Sequence, residues 1–470
     1  MQDKPLFISE WDQEGNGLAA HTRQDGKVIW VAVPLSIPGE EVEVSSIFKK
    51  GKGSVRHRAD ICAIKKPSPC RVIPRCPHVG TCGGCVWQHL SYDLQVETKQ
   101  KWIESLFAPL VESPAAISPL IPCENIYEYR NKMEFSFSQD KAGKQFLGLF
   151  GLRGKVILLN ECHLVKPWVG ALLHAVRAWW ALSFLQAYNW RNNEGTLQNL
   201  TVREAATSGD RMVILTVSGN PAFAPKKEQL EAFCAAVKSV ATPENKELTI
   251  VLSIRQIAPK HPTQVYDMIL FGKDHIREKL KVQLTVEREL DFHIGPRSFF
   301  QPNTFQAQKV YSKALSLASL GENDTVFDLY CGIGVFGMFA ALEAKKAVGI
   351  EISPDAAYDA KINSQRLGLG NFTVYAGDVG AMLHDFPESR PDVVIVDPPR
   401  AGLQKAVEQI SLLKPKRLVY VSCNPRTQAE DAYKLKELGW HIRSLQPIDQ
   451  FPHTPHVENI ALFEADYGKA

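Results

Sequence analysis

The pattern of apolar and polar positions divides the chain into three stretches with different predicted structure. In residues 6–64, apolar and polar residues alternate over short runs separated by Gly and Pro, most clearly in KVIWVAVP, EEVEVSSIF and SVRHRADICAI. Such alternation is typical of half-buried strands. About five short strands in about 60 residues predict a small β-barrel of the oligonucleotide-binding type.

The middle stretch mixes strand and helix patterns and predicts α+β structure. Short apolar or alternating runs predict strands near NKMEFSFS, FLGLFGLRGKVILLN, NLTVREA, RMVILTVS and LTIVLSI. Helical patterns predict helices over DLQVETKQKWIESLFAPL, ALLHAVRAWWALSFLQAY and KKEQLEAFCAAVKSV. We expect the last two helices to cover the sheet that these strands form.

From about residue 291 the pattern changes to an alternation of strands and helices. TVFDLY, AVGIE, FTVYA, VVIVD and RLVYVS read as strands, with helical stretches such as DAAYDAKINSQRLG between them. This alternation predicts a parallel sheet wound on both faces by helices. Ligands of such sheets bind outside the carboxyl ends of the strands.

Length and composition predict a soluble globular protein of two to four domains. The chain has 470 residues, 45% of them hydrophobic and 22% charged, and this length exceeds one ordinary core. No apolar run of about 18 residues or signal-peptide pattern occurs, so we expect a cytoplasmic protein with no membrane partner. Residues 49–75 hold nine Lys or Arg against one acid, Asp60. That segment is either a solvated basic face or a footprint for a polyanion.

Three of the ten cysteines crowd into CPHVGTCGGC, as Cys76, Cys82 and Cys85, and a fourth candidate is Cys162. In a large cytosolic chain such a group indicates a metal or catalytic site rather than disulfides. Common zinc sites use two CxxC pairs, which this spacing lacks, so four thiolates on an iron–sulfur cluster are favoured over zinc. Four of the six other cysteines, Cys62, Cys70, Cys123 and Cys234, read as packing residues.

A glycine-rich turn in FDLYCGIGVFG joins a strand to a helix and spells GxGxxG. This pattern fits a dinucleotide as well as S-adenosylmethionine (SAM). Asp328, before the glycines, would repel a pyrophosphate but suits a cationic sulfonium. Glu351 can accept hydrogen bonds from ribose hydroxyls, which fits either cofactor. Asp397 begins DPPR after a later strand, and its two prolines form a stiff loop that can line a slot for a flat base. SAM is therefore favoured over a nicotinamide dinucleotide.

Cys423 in VSCNPRT ends another apolar strand. A lone cysteine is usually a buried packing residue. Its position at the ligand-binding edge of the predicted sheet favours a catalytic role instead.

Taken together, the sequence resembles the RNA 5-methyluridine methyltransferases, and the match covers nearly the whole chain. The motifs that carry the resemblance are GNGLAAHTRQDGKVIWVAVPLSIPGEEVEV, PRCPHVGTCGGC, YRNKMEFSF, FFQPN, DLYCGIGVFG, GIEIS, DPPR, YVSCNP and HVENIALF, in this order. The resemblance implies an RNA-binding barrel called a TRAM domain at 1–64. It implies a central domain with a [4Fe-4S] cluster at 65–92 and 121–290, and a Rossmann-like SAM-dependent catalytic domain at 93–120 and 291–470.

The resemblance also implies roles for individual residues. The cluster ligands would be Cys76, Cys82, Cys85 and Cys162, and the residues that hold SAM would be Gln301, Tyr330, Glu351 and Asp397. Cys423 would be the nucleophile, Glu458 the base, and Phe299 would stack on a nucleobase. Because family members without the barrel and the cluster act on transfer RNA, ribosomal RNA is the expected substrate here.

The proposed chemistry explains why these residue types are needed. Uracil C5 is a weak nucleophile, and addition of a thiolate at C6 converts it into an enolate that can take a methyl group. A thiol has an unperturbed pKa of about 8.5, so an electropositive site or strand-end amides must lower it. A base must then remove the C5 proton, and the candidate is Glu458, which begins a final apolar strand. Without the resemblance, Glu458 would read equally well as a solvent-facing acid on an edge strand.

Other functions remain open from the sequence. They are transfer RNA uridine-C5 methylation, methylation of an exocyclic nucleobase amine, which needs neither Cys423 nor Glu458, and non-catalytic RNA binding by an iron–sulfur protein. The expected partner is a structured RNA, no protein partner is indicated, and a monomer is expected.

Overall fold

The computed structural model of the chain describes residues 5–49, 55–242, 244, 246–257, 263–385 and 390–465. The chain forms two compact units. The first unit comprises Met1–Lys99, Leu149–Ile157 and Phe451–His456, and the second comprises Gln100–Gly148, Leu158–Gln450 and Val457–Ala470. This division cuts the chain at other residues than the three predicted domains, whose bounds stay a prediction.

The described part of the first unit contains more and shorter strands than predicted. They are β1 (Leu6–Phe7), β2 (Glu10–Trp11), β3 (Gly17–Thr22), β4 (Val28–Val33), β5 (Glu41–Val44), β6 (Phe48–Lys49), β7 (His57–Arg58) and β8 (Ile61–Lys66). They form one sheet of order β1-β5-β8 and another of order β2-β3-β4-β7-β6. Two predicted strands appear as pieces because each is divided between the two sheets: EEVEVSSIF forms β5 and β6, and SVRHRADICAI forms β7 and β8. Ile8, Val31 and Val42 are fully buried in the shared core.

Part of the basic segment serves the fold of this unit. Arg71 donates two hydrogen bonds to the buried carboxylate of Glu40, at 2.6 and 2.7 Å, and these bonds and the neighbouring amides lower the pKa of Glu40 against the opposing effect of burial. Arg58 lies 3.5 Å from Asp60. Residues 50–54 of this segment lie outside the described residues. Arg71 therefore reads as a structural cation rather than an RNA contact.

A six-stranded sheet of order β10-β9-β11-β12-β13-β14 forms the middle of the second unit, and all its pairs except β12–β13 are antiparallel. Its strands are β9 (Lys132–Gln139), β10 (Gln145–Gly148), β11 (Leu197–Glu204), β12 (Arg211–Ser218), β13 (Leu248–Gln256) and β14 (Gln264–Phe271). The helices nearby in sequence are α1 (Tyr92–Phe107), α2 (Trp168–Ser183) and α3 (Lys227–Ala241). Trp180 of α2 packs edge-on against Phe137 of β9, with ring centroids 5.0 Å apart. This contact places α2 on the sheet, as predicted.

Two predicted boundaries in this region are wrong. Helix α2 ends at Ser183 because Phe184 adopts a left-handed backbone with φ 58°, although the apolar pattern continues to residue 188. The strand predicted from FLGLFGLRGKVILLN ends at Gly148. Beyond it, Gly151 lies so close to the cysteine-rich loop that a Cβ atom there would be 2.6 Å from the Thr81 carbonyl oxygen.

The carboxyl-terminal half forms the predicted α/β sheet, with strand order β19-β18-β17-β20-β21-β23-β22. After the hairpin β15 (Ile276–Gln283) and β16 (Glu287–Ile294), its strands are β17 (Thr325–Leu329), β18 (Lys346–Glu351), β19 (Phe372–Ala376), β20 (Val393–Val396), β21 (Arg417–Ser422), β22 (Trp440–Ile448) and β23 (Glu458–Ala465). The helices are α4 (Thr304–Ala318), α5 (Val335–Ala340), α6 (Pro354–Arg366), α7 (Val379–Asp385), α8 (Ala406–Leu413) and α9 (Pro425–Glu437). Strands β17 to β21 are parallel, and β23 pairs antiparallel with β21 and β22.

All five parallel strands were predicted, because each is a short apolar run bounded by turn residues. In the described ranges, no helix combines the length and the apolar character needed to cross a membrane.

Candidate active site

Chemically active side chains gather at one edge of the seven-stranded sheet. Asp328, Glu351, Asp397 and Cys423 lie at or next to the carboxyl ends of β17, β18, β20 and β21. Glu458 is the first residue of β23, which runs antiparallel to β21 and so begins at the same edge. This is the edge at which α/β sheets of this kind bind ligands.

The turn after β17 is built for close approach of a ligand. Tyr330, Gly332 and Gly334 all have left-handed backbones, with φ of 63°, 55° and 82°. A Cβ atom on Gly332 would meet nothing within 4 Å, whereas one on Gly337 would lie 2.3 Å from the ring of Phe372. The space above Gly332 is therefore open, while Gly337 is required for packing of α5 against the sheet.

Asp328 connects this turn to the following helix. Its Oδ2 accepts a hydrogen bond of 2.7 Å from the Gly337 amide, and its Oδ1 is buried without a hydrogen-bond partner. Burial raises the pKa of Asp328 to about 8, and the charges of Asp397 and Glu351 add to this effect. A bound cation would favour the ionised form of this acid.

Glu351 is held against the same turn by backbone amides. Its Oε2 accepts a 2.9 Å hydrogen bond from Gly332, and its Oε1 accepts one of 2.7 Å from Ser353. The carboxylate is therefore fixed beside the glycines, and its role in binding a ribose stays a prediction. Tyr330 lies in the turn itself, where burial raises the pKa of its hydroxyl to about 12.

Gln301 and Asp397 are in direct contact. The Gln301 Nε2 donates to Asp397 Oδ2 at 3.1 Å, and the Gln301 Oε1 accepts a 2.6 Å hydrogen bond from Gln450 Nε2. The Gln450 bond fixes the orientation of the Gln301 amide, because it occupies the acceptor end. The Asn131 side chain donates to the Gln301 carbonyl oxygen at 2.8 Å.

Phe299 stands on the loop that leads to Gln301, and 61% of it is exposed. Arg203, a buried residue of β11, donates to the carbonyl oxygen of Ser298. The Ser298 hydroxyl donates to Asp359 at 2.5 Å. The backbone beside Phe299 is thus held from two sides while its ring stays accessible.

Asp397 and Glu458 lie close enough together for the charge of Asp397 to affect the ionisation of Glu458. Burial raises the pKa of Asp397 to about 7, against the opposing hydrogen bond from Gln301. Burial and the charge of Asp397 raise the pKa of Glu458 well above its ordinary value. Glu458 is 1% exposed, and its Oε1 has no hydrogen-bond partner. Because β23 is an inner strand, Glu458 is not a solvent-facing acid on an edge strand.

Cys423 lies beside these two acids and one arginine. Burial, Glu458 and Asp397 raise the pKa of the Cys423 thiol to about 11, while Arg400 lowers it through its charge and a side-chain hydrogen bond. The surroundings are therefore less electropositive than the sequence suggested. In the ligand-free protein Cys423 is a thiol at neutral pH, and Arg400 is the cation that favours its thiolate.

The structure thus brings the predicted residues Gln301, Asp397, Cys423 and Glu458 to one site. Sequence reasoning missed Arg400 and Gln450, which complete that site. Arg400 could have been found as the last residue of DPPR, because the chemistry requires a cation near the thiol. Gln450 carries no local signal, since it lies 149 residues from Gln301.

The cysteine-rich loop contains three of the four residues of the predicted metal site. Cys82 Sγ accepts a 3.4 Å hydrogen bond from the Gly84 amide, the kind of bond that tunes cluster sulfurs. Burial raises the pKa of the Cys82 thiol, and the neighbouring Cys76 adds to this effect. However, no three Cys, His, Asp or Glu side chains within the described ranges gather so that they could hold one metal ion. The ligand set of Cys76, Cys82, Cys85 and Cys162 therefore stays a prediction.

Known proteins resemble the chain over most of its length. Residues 245–376 and 380–465 match the family model described as tRNA (Uracil-5-)-methyltransferase. An uncharacterized RNA methyltransferase of Protochlamydia amoebophila is 44% identical over 440 residues, which cover 92% of this chain and 99% of that protein. One of Bacteroides thetaiotaomicron is 35% identical over 471 residues, with coverage of 95% and 100%.

A solved structure shows the same similarity. The Pyrococcus abyssi tRNA (uracil-54, C5)-methyltransferase in complex with S-adenosyl-L-homocysteine matches with a TM-score of 0.71 and 25% sequence identity. The match covers 98% of this chain and 100% of that one. The similarity thus includes the amino-terminal residues as well as the α/β sheet.

Proposed function

The chain belongs to the SAM-dependent RNA uracil-5 methyltransferases, and on that premise we propose that it methylates uridine C5 through a covalent bond between Cys423 and uracil C6. In this proposal Glu458 removes the C5 proton. The observation that supports it most is the grouping of Cys423, Arg400, Asp397 and Glu458 at one edge of the sheet. An exocyclic-amine methyltransferase would need neither the thiol nor the second buried acid.

In the first half of the proposed reaction, Cys423 acts as the nucleophile. Its Sγ adds to C6, a C–S bond forms, and the electron pair of the C5–C6 double bond moves toward O4 as an enolate. The thiol must lose its proton first, and Arg400 stabilises the resulting negative charge. C5 then carries the electron density needed to take the methyl group.

In the second half, Glu458 acts as the base. Its carboxylate takes the proton from C5, the electron pair restores the C5–C6 double bond, and the Cys423 thiolate leaves. Glu458 suits this role because it is buried and one of its oxygens has no hydrogen-bond partner in the protein. Its raised pKa makes it a stronger base than an exposed acid once it is ionised.

The residues that would hold SAM are Gln301, Tyr330, Glu351 and Asp397, at the open glycine turn and beside it. SAM supplies the methyl group as part of a cationic sulfonium. A cation suits this site, because the acids Asp397 and Glu351 lie close enough to Asp328 to raise its pKa. The same cation would favour ionisation of the buried acids. The target base must first leave the stack of neighbouring bases in the RNA, which costs about a few kcal/mol. Phe299 would then stack on that base.

Ribosomal RNA is the proposed substrate, in accordance with the family resemblance, and transfer RNA is the second candidate. The reasoning that an amino-terminal extension favours ribosomal RNA is weakened by the Pyrococcus abyssi enzyme. That tRNA methyltransferase covers 98% of this chain, amino-terminal residues included. We further propose that the first unit binds RNA phosphates through the exposed cations of its basic segment, and that the enzyme acts as a monomer.

The function is tested by identifying the methylated nucleoside. Two incubations each contain the protein and methyl-labelled SAM. One contains ribosomal RNA and the other contains transfer RNA, both from cells that lack 5-methyluridine. We expect 5-methyluridine in one of the two RNA pools when the nucleosides are separated by mass spectrometry. Methyladenine or methylguanine in its place would contradict uridine-C5 chemistry, and the labelled pool identifies the RNA class.

The second cofactor proposed is an iron–sulfur cluster, held by Cys76, Cys82, Cys85 and Cys162. The support is the spacing of these thiols in the sequence and the amide hydrogen bond on Cys82. Methyl transfer requires no redox step, so the cluster would hold the loop in shape or contact RNA.

Anaerobically purified protein is therefore expected to be brown and to contain about four iron atoms per chain. Serine replacement of any of the four cysteines should remove most of the iron, as measured by absorbance and metal analysis. Cys234→Ser, a half-buried cysteine of α3, is the matched control and should keep it. A colourless protein with stoichiometric zinc would contradict the proposal.

A further inference from the structure

Residues that follow β21 form hydrogen bonds with the backbone of Arg400, in the loop after β20. The Asn424 Nδ2 donates a 2.9 Å hydrogen bond to the Arg400 carbonyl oxygen. The Thr427 hydroxyl lies 3.1 Å from the same oxygen. We propose that Arg400 is a catalytic residue that stabilises the Cys423 thiolate, and that Asn424 is a positioning residue that locks Arg400 beside it. This inference rests on the proposed role of Cys423 as the nucleophile.

Asn424 makes this contact in place of a local one. It is the residue directly before helix α9, and asparagine at this position usually caps the helix by accepting a hydrogen bond from an amide of the first turn. The Asn424 side chain makes no such bond. A typical cap contributes about 1 kcal/mol, and the chain uses this side chain instead to hold a neighbouring loop. The conformation of Asn424 is therefore explained by the contact with Arg400 and not by the stability of α9.

A second set of bonds holds the same loop from its other side. Asp431 of α9 is 3% exposed, and its Oδ2 accepts hydrogen bonds from the Leu403 amide at 2.7 Å and the Tyr420 hydroxyl at 2.9 Å. Gly402 has φ 77°, and a Cβ atom there would lie 2.5 Å from Asp431 Oδ2. Helix α9 thus fixes the loop at residues 400 and 403. The Arg400 side chain, which is exposed, starts from a backbone with little freedom.

The charges around the Cys423 thiol explain why the position of Arg400 affects its pKa. Glu458 of β23 and Asp397 of the loop after β20 both raise the pKa of Cys423, and Arg400 lowers it. Among these three groups Arg400 is the one cation. If its guanidinium moved into solvent, the thiolate would face two acids alone, and less of it would form. Asn424 therefore acts on Cys423 through Arg400, although it is the next residue in the chain.

The test measures the thiol itself before any reaction with RNA. The pKa of Cys423 is obtained from the pH dependence of alkylation, followed by mass spectrometry of the peptide that contains it. Arg400→Gln should lower the alkylation rate constant at pH 8 about tenfold, which corresponds to a pKa higher by about one unit. Arg400→Lys should restore part of the rate, because it keeps the charge without the planar guanidinium.

Asn424→Ser isolates the positioning role. Serine is as good a residue as asparagine before a helix but too short to reach the Arg400 carbonyl, so the melting temperature should stay unchanged. We expect the alkylation rate at pH 8 to fall about threefold, or half a pKa unit, and further when Thr427→Val is added. Arg426→Gln is the matched control, because it removes an exposed cation of α9 near Cys423 and should leave the pKa as it is.

Two results would overturn the inference. An unchanged Cys423 pKa in Arg400→Gln removes the catalytic role of Arg400 and with it that of Asn424. A shift in Arg400→Gln but none in Asn424→Ser with Thr427→Val removes the positioning role alone. Neither result depends on the proposed function, which fails separately if Cys423→Ala still produces 5-methyluridine.

Discussion

Replacement of Cys423 by serine is expected to reduce 5-methyluridine formation by about a thousandfold or more. A serine hydroxyl is far less ionised than a thiol and adds poorly to C6, so uracil C5 stays unactivated. The measurement is single-turnover methyl transfer with saturating SAM and RNA. A second readout uses RNA in which 5-fluorouridine replaces uridine. Fluorine cannot leave as a proton does, so the wild-type protein should accumulate a covalent complex that survives denaturation, and Cys423→Ser should form none.

Cys62→Ser is the matched control, because it makes the same substitution at an exposed cysteine of β8 in the first unit. It should keep both the activity and the covalent complex. The buried Cys331 is the alternative nucleophile at this edge of the sheet. Burial and the charges of Asp328 and Glu351 raise the pKa of its thiol well above the ordinary value. Full activity of Cys423→Ser without a covalent complex would contradict the covalent mechanism. If the variant instead forms the complex through Cys331, then Cys331 is the nucleophile.

Most of the catalytic fold was predictable from the sequence because its signals are local. The strands β17 to β21 are short apolar runs that end in glycine, proline or a polar residue, and the structure confirms each of them. The strand order of the sheet was not predicted and comes from the structure. The same locality explains why Asp328, Glu351, Asp397 and Cys423 were expected at one edge. The carboxyl ends of parallel strands meet at one edge of the sheet, so a residue at such an end lies at that edge whatever its side chain is.

Two of the missed features depend on contacts between distant segments, and one depends on the backbone conformation of a single residue. Phe184 ends α2 through a left-handed backbone that nothing in its apolar surroundings indicates. The run after Gly148 reads as a strand, yet residues Leu149–Ile157 belong to the first unit. Gln450 orients Gln301 across 149 residues of sequence. Single-sequence reasoning detects neither the backbone conformation of Phe184 nor the contacts between distant segments in the other two cases.

The electrostatics of the site were also beyond the sequence. An electropositive environment was expected for Cys423, since a reactive thiol needs one. The structure instead places two acids and one arginine around it, and the pKa of the thiol rises to about 11. The ligand-free protein therefore holds the Cys423 thiol protonated. In the reaction that we propose, ionisation of Cys423 would depend on Arg400, the one group of these three that lowers the pKa of the thiol.

Replacement of Glu458 by glutamine is expected to stop the reaction after methyl transfer. The C5 proton would have no base, so the methylated RNA should remain bound to Cys423 as a covalent complex, and turnover should fall by about a hundredfold to ten-thousandfold. Denaturing gels with methyl-labelled SAM detect that complex directly. Glu464→Gln is the matched control at the other end of β23, where the acid is partly exposed and lies 3.3 Å from Arg443. Rapid product release by Glu458→Gln would assign the base to another residue, with Asp397 the next candidate.

The same substitution should make the protein more stable, and the gain should depend on pH. Burial raises the pKa of Glu458 in the folded state, so the folded protein binds a proton there that the unfolded chain releases above pH 4.5. The contribution of this proton to the free energy of unfolding is full below pH 4.5. It is lost as the pH rises through the pKa that Glu458 has in the folded protein. Glutamine has no proton to lose, so its advantage in melting temperature should be larger at pH 8 than at pH 5. An advantage that is equal at both pH values would mean that Glu458 is not a buried, proton-binding acid, and the case for it as the base would lose its physical foundation.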